Sequence, residues 1–129
     1  FVILVKNELK KKAITLPVSA PFHCKMMKSA ADELQNFFKQ FEINDLVIPI
    51  ISNVSVSPIK TSSEIEQLLI SCIYNRVRWR EIVEFFYKNN VSECIECGPG
   101  KALTNMFKRF EFKIKCVKVD NIEDLKNYV

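Results

Sequence analysis

The only histidine in the 129-residue chain, His23, stands in the run Ala20-Pro21-Phe22-His23-Cys24, after a β-branched stretch and just before a helical pattern that starts at Lys25. Imidazole takes and returns a proton near neutral pH, and in α/β folds the ends of strands are where sites are built. A general acid or base is the chemistry this position suits. At this level a second reading stays open, a histidine that caps the following helix or is merely exposed. Gly98-Pro99-Gly100-Lys101 falls at a strand-to-helix junction, where backbone N–H groups converge on an anion; a plain turn is the alternative. Cys94-Ile95-Glu96-Cys97 has the spacing of half a zinc site. In a strand, however, positions three apart face opposite sides. No second pair completes a four-ligand set, so no metal is expected.

Composition narrows the chemistry further. Only Gly98 and Gly100 occur as glycines. That excludes the nucleotide-binding glycine fingerprints and any Gly-x-Ser-x-Gly nucleophile elbow within these residues. Nineteen Lys and Arg against fifteen Asp and Glu give +4, with both signs interleaved. Nucleic-acid binding calls for a denser basic stripe and is not expected. Lys or Glu interrupts every apolar run before the ~20 residues of a membrane span, so no membrane partner is expected either. Cys24, Cys72, Cys94, Cys97 and Cys116 are odd in number and irregular in spacing, which argues for a reducing, intracellular compartment. Hydrophobic residues make up 48% of the chain, enough for a packed core. The chain opens on Phe1 rather than Met, with an apolar stretch too short for a signal peptide. It is expected to be part of something longer.

The elements that must position His23 follow from periodicity. Residues 14–19 alternate and read as a strand running into the Ala20-Pro21 turn. From Lys25, apolar residues at Met27, Ala30, Ala31, Leu34, Phe37, Phe38 and Phe41 mark one face of a four-turn helix. Residues 46–56 read as a strand with Pro49 at an edge, and 58–63 as a loop. Thr61 and Ser63, each with Glu three residues on, offer two capping boxes for a helix bearing Ile65, Leu68, Leu69, Cys72 and Ile73. A further helix over 79–88 ends at Asn89-Asn90. A strand over 91–97, a helix carrying Leu103, Met106, Phe107 and Phe110, a strand over 113–119 and a short helix over 122–128 complete an alternating α/β pattern.

Four stretches together resemble malonyl-CoA:acyl carrier protein transacylases and the related acyltransferase domains: L-P-V-S-A-P-F-H-C (16–24), I-S-N-V (51–54), Y-N-R-V-R-W (74–79) and E-C-G-P-G-K-A-L (96–103). Their order and spacing match over roughly residues 14–110. The resemblance implies an α/β-hydrolase-like core, of which residues 1–129 are the C-terminal portion of one acyltransferase domain, with 1–13 the end of a ferredoxin-like insertion. It implies malonyl transfer from coenzyme A to the phosphopantetheine thiol of acyl carrier protein, through an acyl-serine whose serine lies outside these residues. A scaffolding or interaction domain that has lost catalysis is the alternative. By the resemblance His23 is the general base, the Cys72 backbone carbonyl orients it, and Phe22 sorts malonyl from branched acyl groups. No bound cofactor is implied, the coenzyme A thioester being a substrate. The complete protein is expected as a monomer, with an acidic carrier protein steered by basic residues such as Arg76, Arg78, Lys101, Lys108 and Arg109.

Overall fold

The computed structural model describes residues 2–15, 17–126 and 128. Helices and strands are mixed along the chain. Helix α1 spans Val2–Asn7, and after an irregular stretch a short 3₁₀ turn, Lys25–Met27, leads into α2, Lys28–Phe38. Strands β1 (Ile50–Ile51) and β2 (Pro58–Ile59) form an antiparallel pair. Helices α3 (Ser62–Tyr74) and α4 (Trp79–Lys88) follow. Strand β3 (Glu93–Cys97), helix α5 (Ala102–Phe107) and strand β4 (Lys115–Val119) make a parallel strand–helix–strand unit, with Cys94 opposite Cys116, and α6 (Ile122–Leu125) comes last.

The best-packed part lies where α4 and α5 cover the parallel strands. Trp79, Val83 and Phe86 recur at four and three residues, one stripe of α4. Val83 is fully buried and packs with Phe107 and Ile114. The Trp79 and Phe107 rings meet edge to face at 5.4 Å, the geometry that ring quadrupoles favour. A second contact matters more for His23: α2 lies against α3, and the fully buried Ala31 leaves the two backbones room to approach.

Several boundaries differ from the sequence reading. Apart from Leu16, which lies outside the described residues, 14–19 is not a strand. Ile14 and Val18 are mostly exposed, and no neighbouring strand completes a ladder among the described residues. Alternation supplies a surface, and a strand also needs a hydrogen-bonded partner. The expected strand over 46–56 is a hairpin instead. Ser52 N–H donates to the Ser57 carbonyl at 2.9 Å and Leu46 N–H to Lys60 at 2.8 Å, while the chain bends out at 47–48, before Pro49, which has no N–H to give. The expected loop at 58–63 therefore holds β2. Of the two capping boxes, Thr61 and Glu64 form theirs, with Thr61 N–H donating to Glu64 Oε2 at 3.0 Å. Ser63 lies inside the helix. The 25–41 helix starts as a 3₁₀ turn and ends at Phe38. In the last expected helix, 122–128, Asn127 lies outside the described residues and the regular part stops at Leu125.

Candidate active site

His23 sits on a tight turn, with Phe22 N–H donating to the Ala20 carbonyl at 2.9 Å and Met27 N–H to Cys24 at 3.0 Å. Its φ is 58°, a left-handed conformation that a non-glycine residue adopts only when its surroundings hold it there. Two bonds to the end of α3 do so. His23 N–H donates to the Ile73 carbonyl at 3.2 Å, and Nδ1 lies 2.7 Å from the Cys72 carbonyl oxygen. Both carbonyls belong to the last turn of a helix, where no intrahelical donor reaches them.

The second bond settles a chemical question. A carbonyl oxygen only accepts, so Nδ1 carries the proton. In the neutral ring Nε2 is then an open lone pair, the state of a general base. Burial pushes the Cys72 thiol up, so that side chain stays uncharged at neutral pH and Cys72 serves the ring through its backbone. Phe22 lines, with His23, Met27, Ala30, Cys72 and Ile73, an apolar hollow of about 350 Å³. The residue is more than half exposed. The structure thus brings Phe22, His23 and Cys72 to one place.

The Gly98-Pro99-Gly100 turn does not offer the open anion site its sequence suggests. Gly98 and Gly100 have φ of +122° and +98° with open space where a Cβ would stand, so the turn needs glycine for its backbone path and not for closeness. The N–H groups at the start of α5 are already taken. Glu96 accepts from Leu103 N at 2.9 Å, Thr104 N at 2.8 Å and the Thr104 hydroxyl at 2.5 Å. The Thr104 hydroxyl and then these N–H groups hold the Glu96 carboxyl below its usual range. Cys94 is half-buried and Cys97 exposed, on alternate faces of β3. Among the described residues no three His, Cys, Asp or Glu side chains gather as a metal site.

The remaining motifs act as fasteners. Ser52 is buried and its hydroxyl accepts from Val54 N and Ser55 N at 3.2 and 3.0 Å, closing the turn after β1. Arg78 ties that turn to α4: its N–H donates to the Asn53 carbonyl at 3.0 Å and Nη1 to Val54 at 3.4 Å. Arg76 and Arg78 both pair with Glu81, and Lys108 donates to Asn105. The sequence reading offered Arg78 as a steering residue and Glu96 only within a motif; their fastening roles rest largely on backbone partners that no spacing rule points to. Asn75 stood there only within the 74–79 stretch, although an Asn directly after a helical stretch is a known stop signal.

A histidine held at Nδ1 by a helix-end carbonyl, beside an apolar hollow in a mixed α/β fold, is an arrangement suited to proton transfer. No family profile matches the chain, but curated proteins do. It is 35% identical over 123 residues to the malonyl CoA-acyl carrier protein transacylase of Bacillus subtilis, covering 95% of this chain and 39% of that protein. An acyl carrier protein S-malonyltransferase crystal structure from Vibrio cholerae superposes with a TM-score of 0.84 at 40% identity, covering 92% of this chain and 39% of that one. A malonyl-transacylase solved in complex with a type II PKS acyl-carrier protein gives 0.81 at 35% identity, over 91% of this chain and 38% of its own. The chain is a homologue of the malonyl CoA-acyl carrier protein transacylases, and it spans about two fifths of the length of the relatives it matches.

Proposed function

We propose that this chain is the general-base portion of a malonyl-CoA:acyl carrier protein transacylase acting in fatty-acid synthesis. The observation that carries the reading is the 2.7 Å bond between His23 Nδ1 and the Cys72 carbonyl. A serine hydroxyl is a poor nucleophile until a base takes its proton. In the proposed first half-reaction His23 Nε2 accepts that proton as the serine oxygen attacks the malonyl thioester. The tetrahedral intermediate collapses, the carbon–sulfur bond breaks, and the imidazolium returns the proton to the departing coenzyme A sulfur. In the second half His23 takes the proton of the phosphopantetheine thiol as its sulfur attacks the acyl-serine, and the imidazolium returns that proton to the serine oxygen as the carbon–oxygen bond breaks. Throughout, the Cys72 carbonyl keeps the ring in one tautomer and one orientation.

The serine comes from outside these residues, since no Gly-x-Ser-x-Gly occurs in them. Within this reading the chain is the C-terminal portion of an α/β-hydrolase-like core, and residues 1–13 close a ferredoxin-like insertion. Ile95 on β3 and Leu103 and Met106 on α5 are substantially exposed, and parallel strands are ordinarily covered on both faces. That favours action of the chain packed against the rest of the fold. The partner is an acyl carrier protein, as in the solved complex of the related malonyl-transacylase. Among the basic residues suggested for steering, Lys101 and Arg109 suit the role better than Arg76 and Arg78, which Glu81 already offsets. The complete enzyme is read as a monomer. Five free cysteines support a reducing, intracellular compartment.

Transfer of labelled malonyl from coenzyme A to carrier protein by the full-length protein tests the reading. Transfer is expected there and none from residues 1–129 alone. A folded full-length protein that binds carrier protein without transferring malonyl would be a scaffold.

A further inference from the structure

We propose that Asn75 is a positioning residue for His23, acting through the end of α3. The proposal rests on reading His23 as the base. Asn75 closes the helix twice over one carbonyl: its N–H donates to Ser71 O at 3.1 Å and its side-chain Nδ2 to the same oxygen at 2.9 Å. Its backbone is extended, with φ −113° and ψ 154°.

The consequence falls on the next two carbonyls. In a continuing helix the N–H of Arg76 would reach the Cys72 carbonyl and that of Val77 the Ile73 carbonyl. Because the chain straightens at Asn75, neither does, and the two oxygens go to the ring and the backbone N–H of His23. The folded-back amide fixes where the helix stops. A helix one turn longer would consume the acceptors, and a frayed one would let them drift out of line with Nδ1, whose bond needs near-linear geometry. Asn75 touches no reacting atom. It decides which carbonyls are left for the residue that does.

The protein carries its own control. Asn89 ends α4 with the same pair of bonds, N–H and Nδ2 to Phe85 O at 3.1 and 2.8 Å, and makes no bond to His23. Loss of the amide at Asn89 therefore reproduces the structural cost without the effect on the ring.

The test uses nitrogen-15 NMR of His23 in the full-length protein, its ring signals assigned by their loss in His23→Ala, at about pH 8.5, where imidazole is neutral. The ring shifts report which nitrogen carries the proton. The unaltered full-length protein should show the Nδ1–H tautomer at His23. Asn75→Ala should move the ring toward the Nε2–H form that free imidazole prefers, while Asn89→Ala leaves it in place. In the full-length transacylase Asn75→Ala should lower kcat about three- to tenfold, the worth of one ordinary hydrogen bond, with KM for malonyl-CoA unchanged. Should Asn75→Ala not fold, Asn75→Ser and Asn75→Asp decide. Ser keeps a hydroxyl able to donate back along the helix and should retain the Nδ1–H form, and Asp, without a donor, should lose it. An unmoved tautomer in folded Asn75→Ala, an equal shift in Asn89→Ala, or Ser and Asp behaving alike would overturn the proposal. If His23 were not the base, turnover would be insensitive to its removal, while the tautomer result would stand by itself.

Discussion

Replacing Phe22 by serine separates selectivity from packing, because the two are read by different measurements. Phe22 is 56% exposed. A fully enclosed aromatic side chain buries about 150–250 Å², so Phe22 has roughly 90 Å² out of water, and at about 25 cal/mol per Å² its truncation costs at most about 2 kcal/mol of stability. A core residue of that size would cost about 3–5 kcal/mol. Under the proposed selectivity role the effect on substrate choice is of comparable size. The ring stands beside His23 on the rim of the hollow, and a wall that excludes one extra methyl discriminates by about 1–3 kcal/mol, or about ten- to two-hundredfold. The assay is kcat/KM for malonyl-CoA and methylmalonyl-CoA with Phe22→Ser in the full-length enzyme, alongside its melting temperature. The expected outcome is a malonyl preference reduced about tenfold or more with a melting shift of a few degrees. An unchanged ratio with a strongly lowered melting temperature would make Phe22 an anchor of the loop and refute the reasoning.

Glu96→Gln should flatten the acid limb of the stability curve. The folded protein holds this carboxyl below its ordinary 4.5, so its contribution is present above that value and lost as pH falls through the folded one; melting temperature measured from pH 7 to 3 shows it as a shallower decline in the variant. Raising salt from about 0.05 to 0.5 M should raise KM for the carrier protein several-fold, as the screening length shrinks to a few Å. Lys101→Ala should shift KM at low salt more than Arg76→Ala, whose charge is paired with Glu81.

What the sequence disclosed is what local chemistry controls. The stripe of Trp79, Val83 and Phe86 declared α4, and the Thr61-to-Glu64 spacing declared the start of α3, because both depend on neighbours within a turn or two. Asn89-Asn90 likewise marked the end of α4, where Asn90 takes a φ of 59°. Residues 14–15 and 17–19 have no partner strand among the described residues, and 46–56 folds back on itself at a turn around Ser52, both matters of distant partners and not of local pattern. At the site, the type and place of His23 were legible. Its left-handed backbone was not, nor the filling of the α5 N-terminus by Glu96, whose partners lie seven and eight residues on. The motifs that carry the family resemblance thus divide. One stretch holds His23, Asn75 in a second closes the helix whose last carbonyls His23 bonds, and the other two fasten turns and a helix start elsewhere in the fold.

In the proposed mechanism His23, held by the Cys72 carbonyl, removes the proton from the acyl-accepting nucleophile. The most direct test of this step is the pre-steady-state release of coenzyme A from malonyl-CoA, followed by stopped flow in the full-length enzyme with His23→Ala. A folded variant whose release slows by about 10²–10⁴, the worth of a positioned general base, is the predicted result. Release at a near-normal rate would contradict the claim.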